Sequence, residues 1–545
     1  MGSGWRWVGL AAVVCAVAVG VACGAGDGSA VAWNTGAGST GGGGGGNDGG
    51  APDAGPADSG PADAGPADAG PPDGGPSDGG GSGSVSLPSI PGWDFYGPQH
   101  GGPQDVRGVT MDEAGNLWVA GGAEGLFLMR VAADGRLTGR FEKFGIADGL
   151  HPYGWLNGEA ALGMKVPDGT PADMHPSLTA TPVISVAGGP PGTVFVGYQG
   201  KPGCEDAWHG DQWTQPSQWG DPAVYKSGDA DRVTLSGSGI AVVHYDIFSG
   251  PGVVADEPKG REKICSVYRL VWDKEQNRIW FGGNHGFAMG RPDFPGNPTC
   301  NGLEACAGVS EHVHPAFNDT EGNYVTQEYW GVAVDPLSQQ GFHDVWFGGM
   351  ARTTRFRFGE TGGSYSIAQP RTEAWSGKNI KSPTPDNLFV QAAYRNRIDV
   401  WPDAVSEYDQ AWNPTYPTPA QWKAGLDVVS GIAADPSDNS VYIASFANGI
   451  RHLDHDGNFI ADLNGALFGK TVSAIAIDPD GSLWVGYKYE GGVSRIRRGG
   501  AVEHLANSLG QLEKSPVPDI RIARTGPRRV LVAFQSGAVA IYKGN

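Results

Sequence analysis

Residues 472–500, VSAIAIDPDGSLWVGYKYEGGVSRIRRGG, constrain the fold of this chain more than any other stretch. A first apolar run ends at Asp478, and residues 479–481 (Pro-Asp-Gly) supply a turn before a second run at 483–486. Two glycines then separate this run from a third one. Alternating apolar residues, with Gly, Asp and Pro at the breaks, are typical of short antiparallel strands. The stretch therefore predicts a compact antiparallel unit.

The same pattern recurs through the chain, so an internal repeat organises it. Six further stretches align with the first: residues 106–130, 183–200, 267–291, 329–358, 428–453 and 517–542. Each unit has a large apolar residue in its second predicted strand, and these anchors are Trp118, Phe195, Trp280, Trp346, Tyr442, Trp484 and Leu531. The spacing from Tyr442 to Trp484 suits a four-stranded blade of roughly 40–45 residues.

One small sheet buries too little apolar surface alone, so the units must stack radially and close into a ring. The last unit ends near Lys543 without a fourth strand. Residues 92–97, GWDFYG, have strand composition and precede the first unit, so we expect them to supply that strand. The sequence predicts an all-β fold, a seven-bladed β-propeller over residues 88–545, with Trp484 packed between blades.

Two repeats carry a more specific signature, DEAGNLWVAGGAEGLF from Asp112 and DPDGSLWVGYKYEGGV from Asp478. They resemble the repeat of two-component-regulator propellers, in which a strand, an Asp and a turn precede Gly-x-Leu-Trp-x-Gly and then Gly-Leu. They are less closely similar to the streptogramin-lyase type of propeller. The resemblance implies the fold, and it does not imply signalling by phosphorylation.

The first 22 residues are typical of an export signal. Arg6 precedes an apolar run at 8–22, which is shorter than the roughly 20 residues of a membrane span. The run ends in Gly-Val-Ala-Cys at 20–23, which resembles the bacterial lipobox. This resemblance implies a lipid on Cys23, and Gly24 after it implies the outer membrane. The alternative is an ordinary signal peptide with an incidental cysteine.

Residues 23–87 contain a glycine run at 41–46 and an Asp at every fifth position from 48 to 78. This composition cannot offset chain entropy by burying apolar surface, so we expect a disordered, extended linker. The net charge of −20 leaves no basic stripe for nucleic acid. The sequence predicts a monomeric, lipid-anchored protein of the bacterial envelope that does not bind nucleic acid.

Four long insertions interrupt the repeats, at residues 145–180, 199–230, 294–327 and 360–425. By strand count, all four are expected on the face where the innermost strands begin, opposite the short turns at Gly115 and Gly481. The insertions are rich in aromatic rings and amides, which suit stacking on sugars or anchoring a peptide. The candidate ligand-binding residues are Trp155, Trp208, Trp213, Trp219, Tyr408, Trp412 and Trp422; alternatively, these rings pack small cores within the loops.

These features predict a binding module for a glycan, a peptide or a partner protein. The alternative is an extracytoplasmic propeller enzyme, a lyase or lactonase-like hydrolase acting at the channel mouth, and a structural envelope protein is a third reading. A bound metal or one deep, narrow pocket would favour the enzyme. A broad aromatic groove would favour binding.

Asp105, Glu328 and Asp427 each lie just before the first apolar residue of an inner strand. Oxygen ligands converging on the axis could hold Ca²⁺, which takes six to eight of them. Solvated carboxylates at the rim are the alternative. No other cofactor is predicted, and no catalytic arrangement of Ser, His and Asp can be singled out.

Four cysteines follow the linker, and an even number in an exported chain favours disulfides. They are Cys204, Cys265, Cys300 and Cys306. Three pairings are open. Cys300 and Cys306 share one loop, so their pairing is favoured, and that pairing would leave Cys204 to join Cys265.

Overall fold

The computed structural model describes only part of the chain beyond the linker. The described residues are 85–151, 182–200, 228–245, 247–249, 261–262, 264, 266–284, 286–294, 329–335, 343–349, 352–356, 397–399, 429–446, 448–455, 457–523, 526 and 528–544. The predicted signal segment 1–22, Cys23 and the linker up to residue 84 lie outside these ranges. Within them, no helix has the length and apolarity needed to cross a membrane.

The described residues form antiparallel sheets, numbered here in ring order. Sheet 7 combines both ends of the chain, with β1 (Trp93–Tyr96) beside β27 (Asp519–Ile522), β28 (Val530–Phe534) and β29 (Ala538–Tyr542). Sheet 1 contains β2 (Gly108–Met111), β3 (Leu117–Ala120), β4 (Leu126–Met129) and β5 (Glu142–Phe144). Sheet 2 contains β6 (Val183–Gly188), β7 (Thr193–Tyr198), β8 (Ala230–Ser236) and β9 (Gly239–Tyr245).

The middle of the chain adds sheets 3 and 4 and a small ribbon. The ribbon pairs β10 (Phe248–Ser249) with β11 (Arg261–Glu262). Sheet 3 contains β12 (Val267–Asp273), β13 (Arg278–Gly283) and β14 (Gly286–Gly290). Sheet 4 contains β15 (Gly331–Asp335), β16 (Asp344–Gly348), β17 (Arg352–Phe356) and β18 (Arg397–Asp399).

Sheets 5 and 6 precede the closing sheet. Sheet 5 contains β19 (Val429–Ala434), β20 (Val441–Ser445), β21 (Gly449–Leu453) and β22 (Phe459–Asp462). Sheet 6 contains β23 (Val472–Ile477), β24 (Leu483–Tyr487), β25 (Val493–Ile496) and β26 (Val502–His504). Short 3-10 helices span Pro98–His100, Ile146–Asp148, Asn464–Ala466, Ala506–Ser508 and Gly510–Lys514.

The chain is an all-β propeller, because the first strands of sheets 1 to 7 each contact the next and β27 contacts β2. The prediction of seven blades requires correction. Six complete four-stranded blades are present, whereas sheet 3, between sheets 2 and 4, has three strands among the described residues. Pro292 and Pro295 follow β14 directly, and proline cannot donate to a strand ladder.

The ring closes through the strand that the sequence predicts for residues 92–97. β1 pairs with β29 in a register that runs from Trp93 opposite Tyr542 to Tyr96 opposite Val539. Sheet 7 is therefore built from both ends of the propeller. This confirms the predicted closure.

The repeat signature has a direct structural cause. Asp478 follows β23, and its Oδ2 accepts a hydrogen bond of 2.8 Å from the indole Nε1 of Trp484, while its Oδ1 accepts one from the backbone of Asp480. Gly481 completes the turn with φ of 77°, a conformation that suits glycine. Asp112 and Trp118 make the same indole bond at 3.0 Å.

Trp484 packs where sheets 6 and 7 meet. Its side chain is 1% exposed, and its ring lies 5.8 Å from that of Trp93 and 5.0 Å from that of Tyr542. The same apolar cluster includes Val532 and Ala540 of sheet 7. The predicted position of Trp484 between blades is confirmed.

Strand direction defines two faces of the ring. The inner strands begin at one, named here the insertion face, and end at the other, the turn face, which carries Gly115 and Gly481. At the insertion face, serine hydroxyls donate to a backbone carbonyl at the start of the neighbouring inner strand, as Ser430 does to Val472 at 2.6 Å and Ser473 to Val517, just before β27, at 2.7 Å. At the turn face, Arg498 pairs with Asp435 of the adjacent sheet at 2.5 Å.

The flanking strands correct part of the predicted loop arrangement. The insertions at 145–180 and 199–230 connect strand ends that lie at the insertion face. The insertion at 360–425 was predicted as one loop on that face, but β18 divides it: residues 357–396 join strand ends at the turn face and residues 400–428 join ends at the insertion face. The insertion at 294–327 follows β14, which ends at the turn face. Two of the four predicted placements are therefore wrong in part.

Candidate functional site

Most of the residues selected from the sequence lie outside the described ranges. These are the ring candidates Trp155, Trp208, Trp213, Trp219, Tyr408, Trp412 and Trp422, the carboxylates Glu328 and Asp427, and the cysteines Cys204, Cys265, Cys300 and Cys306. Their roles stay predictions. The described strands do place the ends of the segments that contain these seven aromatic residues at the insertion face.

Asp105 is the described member of the predicted calcium set. Its Oδ2 lies 2.7 Å from Nε of Arg107, and both side chains are partly buried. Within the described residues, no group of three or more His, Cys, Asp and Glu side chains could hold a metal ion. Asp105 is thus the ion-pair partner of an arginine, and calcium at the channel mouth stays a prediction.

A charged cluster crosses the central channel. Nη1 of Arg269, on β12, lies 2.5 Å from Oδ1 of Asp519, the first residue of β27. Sheets 3 and 7 are separated by two sheets on one side of the ring and by three on the other. A direct contact between their inner strands must therefore span the channel.

Asp519 is held from three directions. Besides Arg269, Nε of Arg521 lies 3.0 and 3.1 Å from its two oxygens, and the backbone amide of Val109 donates to Oδ2 at 3.2 Å. The side chains of Arg269 and Asp519 are 12% and 3% exposed. Burial lowers the pKa of Arg269 and nearby Arg521 lowers it further, against the opposing effect of Asp519. The two guanidinium groups and one carboxylate leave a net charge of one positive unit.

Arg521 has spare hydrogen-bonding capacity. Its Nη2 is buried and has no hydrogen-bond partner among the described residues. Buried donors are almost always paired in folded proteins, and an unpaired one in a native structure calls for an explanation. The channel mouth therefore combines an excess positive charge with an unfilled donor.

Aromatic residues line the insertion face; Tyr268, Trp330, Phe446, Phe468 and Tyr489 are named here the aromatic rim. Tyr268 and Trp330 stack at 3.8 Å between ring centroids, and Trp330 meets Phe446 edge-on at 5.8 Å. Nζ of Lys488 lies 4.6 Å from the centroid of Phe446 and 5.1 Å from that of Tyr489. The rim extends from sheet 3 to sheet 6.

Two members of the rim are open to solvent. Tyr489 is 67% exposed and Phe468 is 46% exposed. Their segments are joined, because the amide of Lys488 donates to the carbonyl of Thr471 at 2.8 Å and the Thr471 hydroxyl bonds to Glu490. Large exposed rings next to charged and hydroxyl groups are typical of binding surfaces.

A second polar cluster lies buried in sheet 2, where β7, β8 and β9 reach the insertion face. Nδ1 of His244 lies 2.8 Å from Oδ1 of Asp231, and its Nε2 lies 3.6 Å from Oδ2 of Asp229. The Tyr198 hydroxyl and the His151 amide donate to Oδ2 of Asp231 at 2.5 and 2.8 Å.

The environment fixes the protonation of this cluster. Burial lowers the pKa of His244, but hydrogen bonds and charge from Asp229 and Asp231 outweigh it and raise the pKa to about 9. Burial raises the pKa of Tyr198 well above its usual value, and the Asp231 charge adds to the effect. His244 is therefore a buried cation at neutral pH and Tyr198 a neutral donor. His244, Asp231 and Tyr198 are fully buried, so they tie together the ends of β7, β8 and β9 at the insertion face.

Neither cluster is predicted by the sequence. Asp231 faces His244 through the β8–β9 register, and this pairing cannot be read without knowing where each strand starts. Arg269 and Asp519 lie 250 residues apart in the chain. The sequence signal that could have indicated the channel cluster is position, because both arginines and Asp519 lie in inner strands.

No protein-family model and no curated protein matches the sequence. Solved structures do match this chain. The chain is similar to the WD40 β-propeller domain of Doa1, at 10% identity and a TM-score of 0.39, over 84% of this chain and 98% of that one. It is also similar to virginiamycin B lyase from Staphylococcus aureus, at 12% identity and a TM-score of 0.40, over 82% and 98%. The propeller architecture itself rests on the strand order and ring closure described above.

Proposed function

We propose that this protein is a lipid-anchored protein of the bacterial envelope whose propeller is a binding module for a glycan. The aromatic rim and the channel mouth form its binding site. The observation that carries the proposal is the exposure of Tyr489 and Phe468 on the insertion face.

The chemistry of the rim favours a sugar over the other ligands that the sequence leaves open. A sugar ring has an apolar face of C–H groups that packs on an aromatic ring, while its hydroxyls need polar partners. Tyr489 and Phe468 offer the rings, and the neighbouring Thr471 and Glu490 offer a hydroxyl and a carboxylate. A peptide or a partner protein remains an outcome of the test below.

Replacing Tyr489 or Phe468 by Ala is expected to weaken binding of the ligand found on a glycan array. A buried aromatic anchor contributes about 2 kcal/mol, or roughly 30-fold in affinity. Isothermal titration of the full chain measures the change, and the melting temperature of Tyr489→Ala should stay constant because the Tyr489 side chain is 67% exposed.

Phe459 provides the matched control. It is 60% exposed but lies on β22, the outermost strand of sheet 5, so Phe459→Ala should not alter the affinity. Equal losses in Phe459→Ala and Tyr489→Ala would overturn the proposed site. A peptide array that yields the ligand when the glycan array does not would keep the rim and refute the glycan.

The proposed anchor is a lipid on Cys23, with the linker up to residue 87 as a flexible spacer from the outer membrane. Cys23→Ser is expected to move the protein from the detergent phase to the aqueous phase, because the variant cannot accept the lipid. Phase separation of wild type and variant measures this. Equal partition of the two proteins would refute the anchor.

The second candidate function is a lyase or lactonase-like hydrolase acting at the channel mouth. Such an enzyme needs a general base within reach of its substrate. Both oxygens of Asp519 are already engaged by Arg269, Arg521 and the Val109 amide. This engagement supports binding over catalysis at the channel mouth.

A further inference from the structure

We propose that the channel mouth binds a carboxylate of the ligand through Arg269 and Arg521, so that the glycan carries a singly charged acidic sugar. This inference rests on the proposed function and names the ligand chemistry of the same site. Four features of the described residues support it: the donor left over on Arg521, the fixed position of the guanidinium groups, their contact with the aromatic rim, and the local charge.

Arg521 has a spare hydrogen-bond donor. Nε of Arg521 serves both oxygens of Asp519, whereas its Nη2 is buried and lacks a partner among the described residues. Arginine presents its N–H groups in a planar fork that matches the two oxygens of a carboxylate. A ligand carboxylate beside Asp519 would give Nη2 the acceptor that it lacks.

The guanidinium groups are also held before any ligand arrives. Arg269 donates from Nη1 to Asp519 and from Nε to the carbonyl of Trp330, at 2.5 and 3.2 Å. Asp519 is itself fixed by the Val109 amide. Little side-chain freedom therefore remains to be lost on binding, and such preorganisation increases affinity.

The same contacts join the charged cluster to the aromatic rim. The backbone carbonyl of Trp330 accepts a hydrogen bond from Arg269, and its ring stacks on Tyr268, the residue that precedes Arg269 in the chain. A single ligand could therefore place a charged group at the two arginines and a ring on the aromatic rim. An acidic sugar carries both features in adjacent positions.

The charge balance selects one carboxylate. The local charge of Arg269, Arg521 and Asp519 sums to one positive unit, whereas the net charge of the whole chain is −20. The field of an acidic protein repels a polyanion, while a single carboxylate is matched locally. Densely sulfated chains and nucleic acids are therefore unsuitable ligands.

The test uses two oligosaccharides that differ only in their terminal residue, glucuronic acid in one and glucose in the other. Titration of the wild-type full chain is expected to show roughly tenfold tighter binding of the acidic form, since a charged hydrogen-bonded pair contributes about that factor. In Arg521→Gln this preference should fall to about one.

Arg497→Gln is the matched control, because Arg497 pairs with Glu503 away from the channel and is half exposed. The preference should persist in this variant. Arg521→Lys guards against a folding defect, because lysine keeps the positive charge but lacks the planar fork of N–H groups. The preference of this variant for the acidic oligosaccharide should fall at least threefold, at an unchanged melting temperature.

A preference retained in both Arg521 variants, or no preference in the wild type, overturns the inference. In either case, neutral-glycan binding that depends on Tyr489 would still support the proposed function. Failure of every glycan to bind would refute the proposed function itself.

Discussion

Deletion of residues 88–98 is expected to lower the free energy of unfolding of the propeller by more than any single substitution. The deletion removes β1 and with it Trp93, which is buried against Trp484 and Tyr542. Loss of one buried Trp typically costs 3–5 kcal/mol. The deletion also removes the strand pairing with β29 and leaves that strand as an open edge.

Urea denaturation of the wild type, the deletion and Trp93→Ala orders these effects. Trp93→Ala should fall between the other two, because it removes the ring and keeps the strand. Asp94→Ala is the control on the same strand: Asp94 pairs with Lys543 at 2.7 Å, and both side chains are nearly half exposed, so it should cost about 0–1 kcal/mol. Removal of residues 24–80 should leave the midpoint unchanged. A deletion of 88–98 that unfolds at the wild-type midpoint would refute the closing role of β1.

The parts of the fold that the sequence predicts are those encoded within one hairpin. Asp478, Gly481 and Trp484 lie within seven residues, and the carboxylate binds the turn amides and the indole together. These contacts depend on local chemistry alone. The closing strand was predictable for another reason, because a repeat that ends one strand short needs that strand from elsewhere.

The errors in the fold come from strands whose formation depends on their neighbours. β18 has only three residues, Arg397-Ile398-Asp399, and two of them are charged. It pairs with β17, yet nothing in its composition distinguishes it from the neighbouring sequence. The sequence therefore predicts a single insertion at 360–425 on one face, although β18 divides this stretch.

The sequence predicts where the candidate site lies but not which residues form it. The sequence indicated aromatic residues on the insertion face and charges where inner strands begin. Tyr489 follows a repeat strand directly, and Asp519 lies in the inner strand of the last unit, so neither belongs to a long insertion or precedes its strand. Only ring closure brings Arg269 to Asp519, and no local pattern records such a contact.

The second large effect concerns the buried cation of sheet 2. His244→Gln is expected to lower the free energy of unfolding by about 3–5 kcal/mol near pH 6, because it leaves Asp229 and Asp231 buried without their cation. His244 is fully buried, 2.8 Å from Asp231 and 3.6 Å from Asp229. Glutamine keeps hydrogen-bonding capacity but carries no charge, so the variant isolates the electrostatic contribution.

The pH dependence of stability tests the same residue independently. The pKa of His244 is raised to about 9 in the folded protein, against about 6.5 in the unfolded chain. The folded state therefore binds the extra proton, and its contribution is fully present below pH 6.5 and lost as the pH rises through 9. Wild-type stability should fall by on the order of 3 kcal/mol across this window, beyond the change seen in His244→Gln. His504→Gln, at an exposed histidine of β26, should follow the wild-type curve. Parallel curves for wild type and His244→Gln between pH 6 and 10 would show that His244 is not a buried cation.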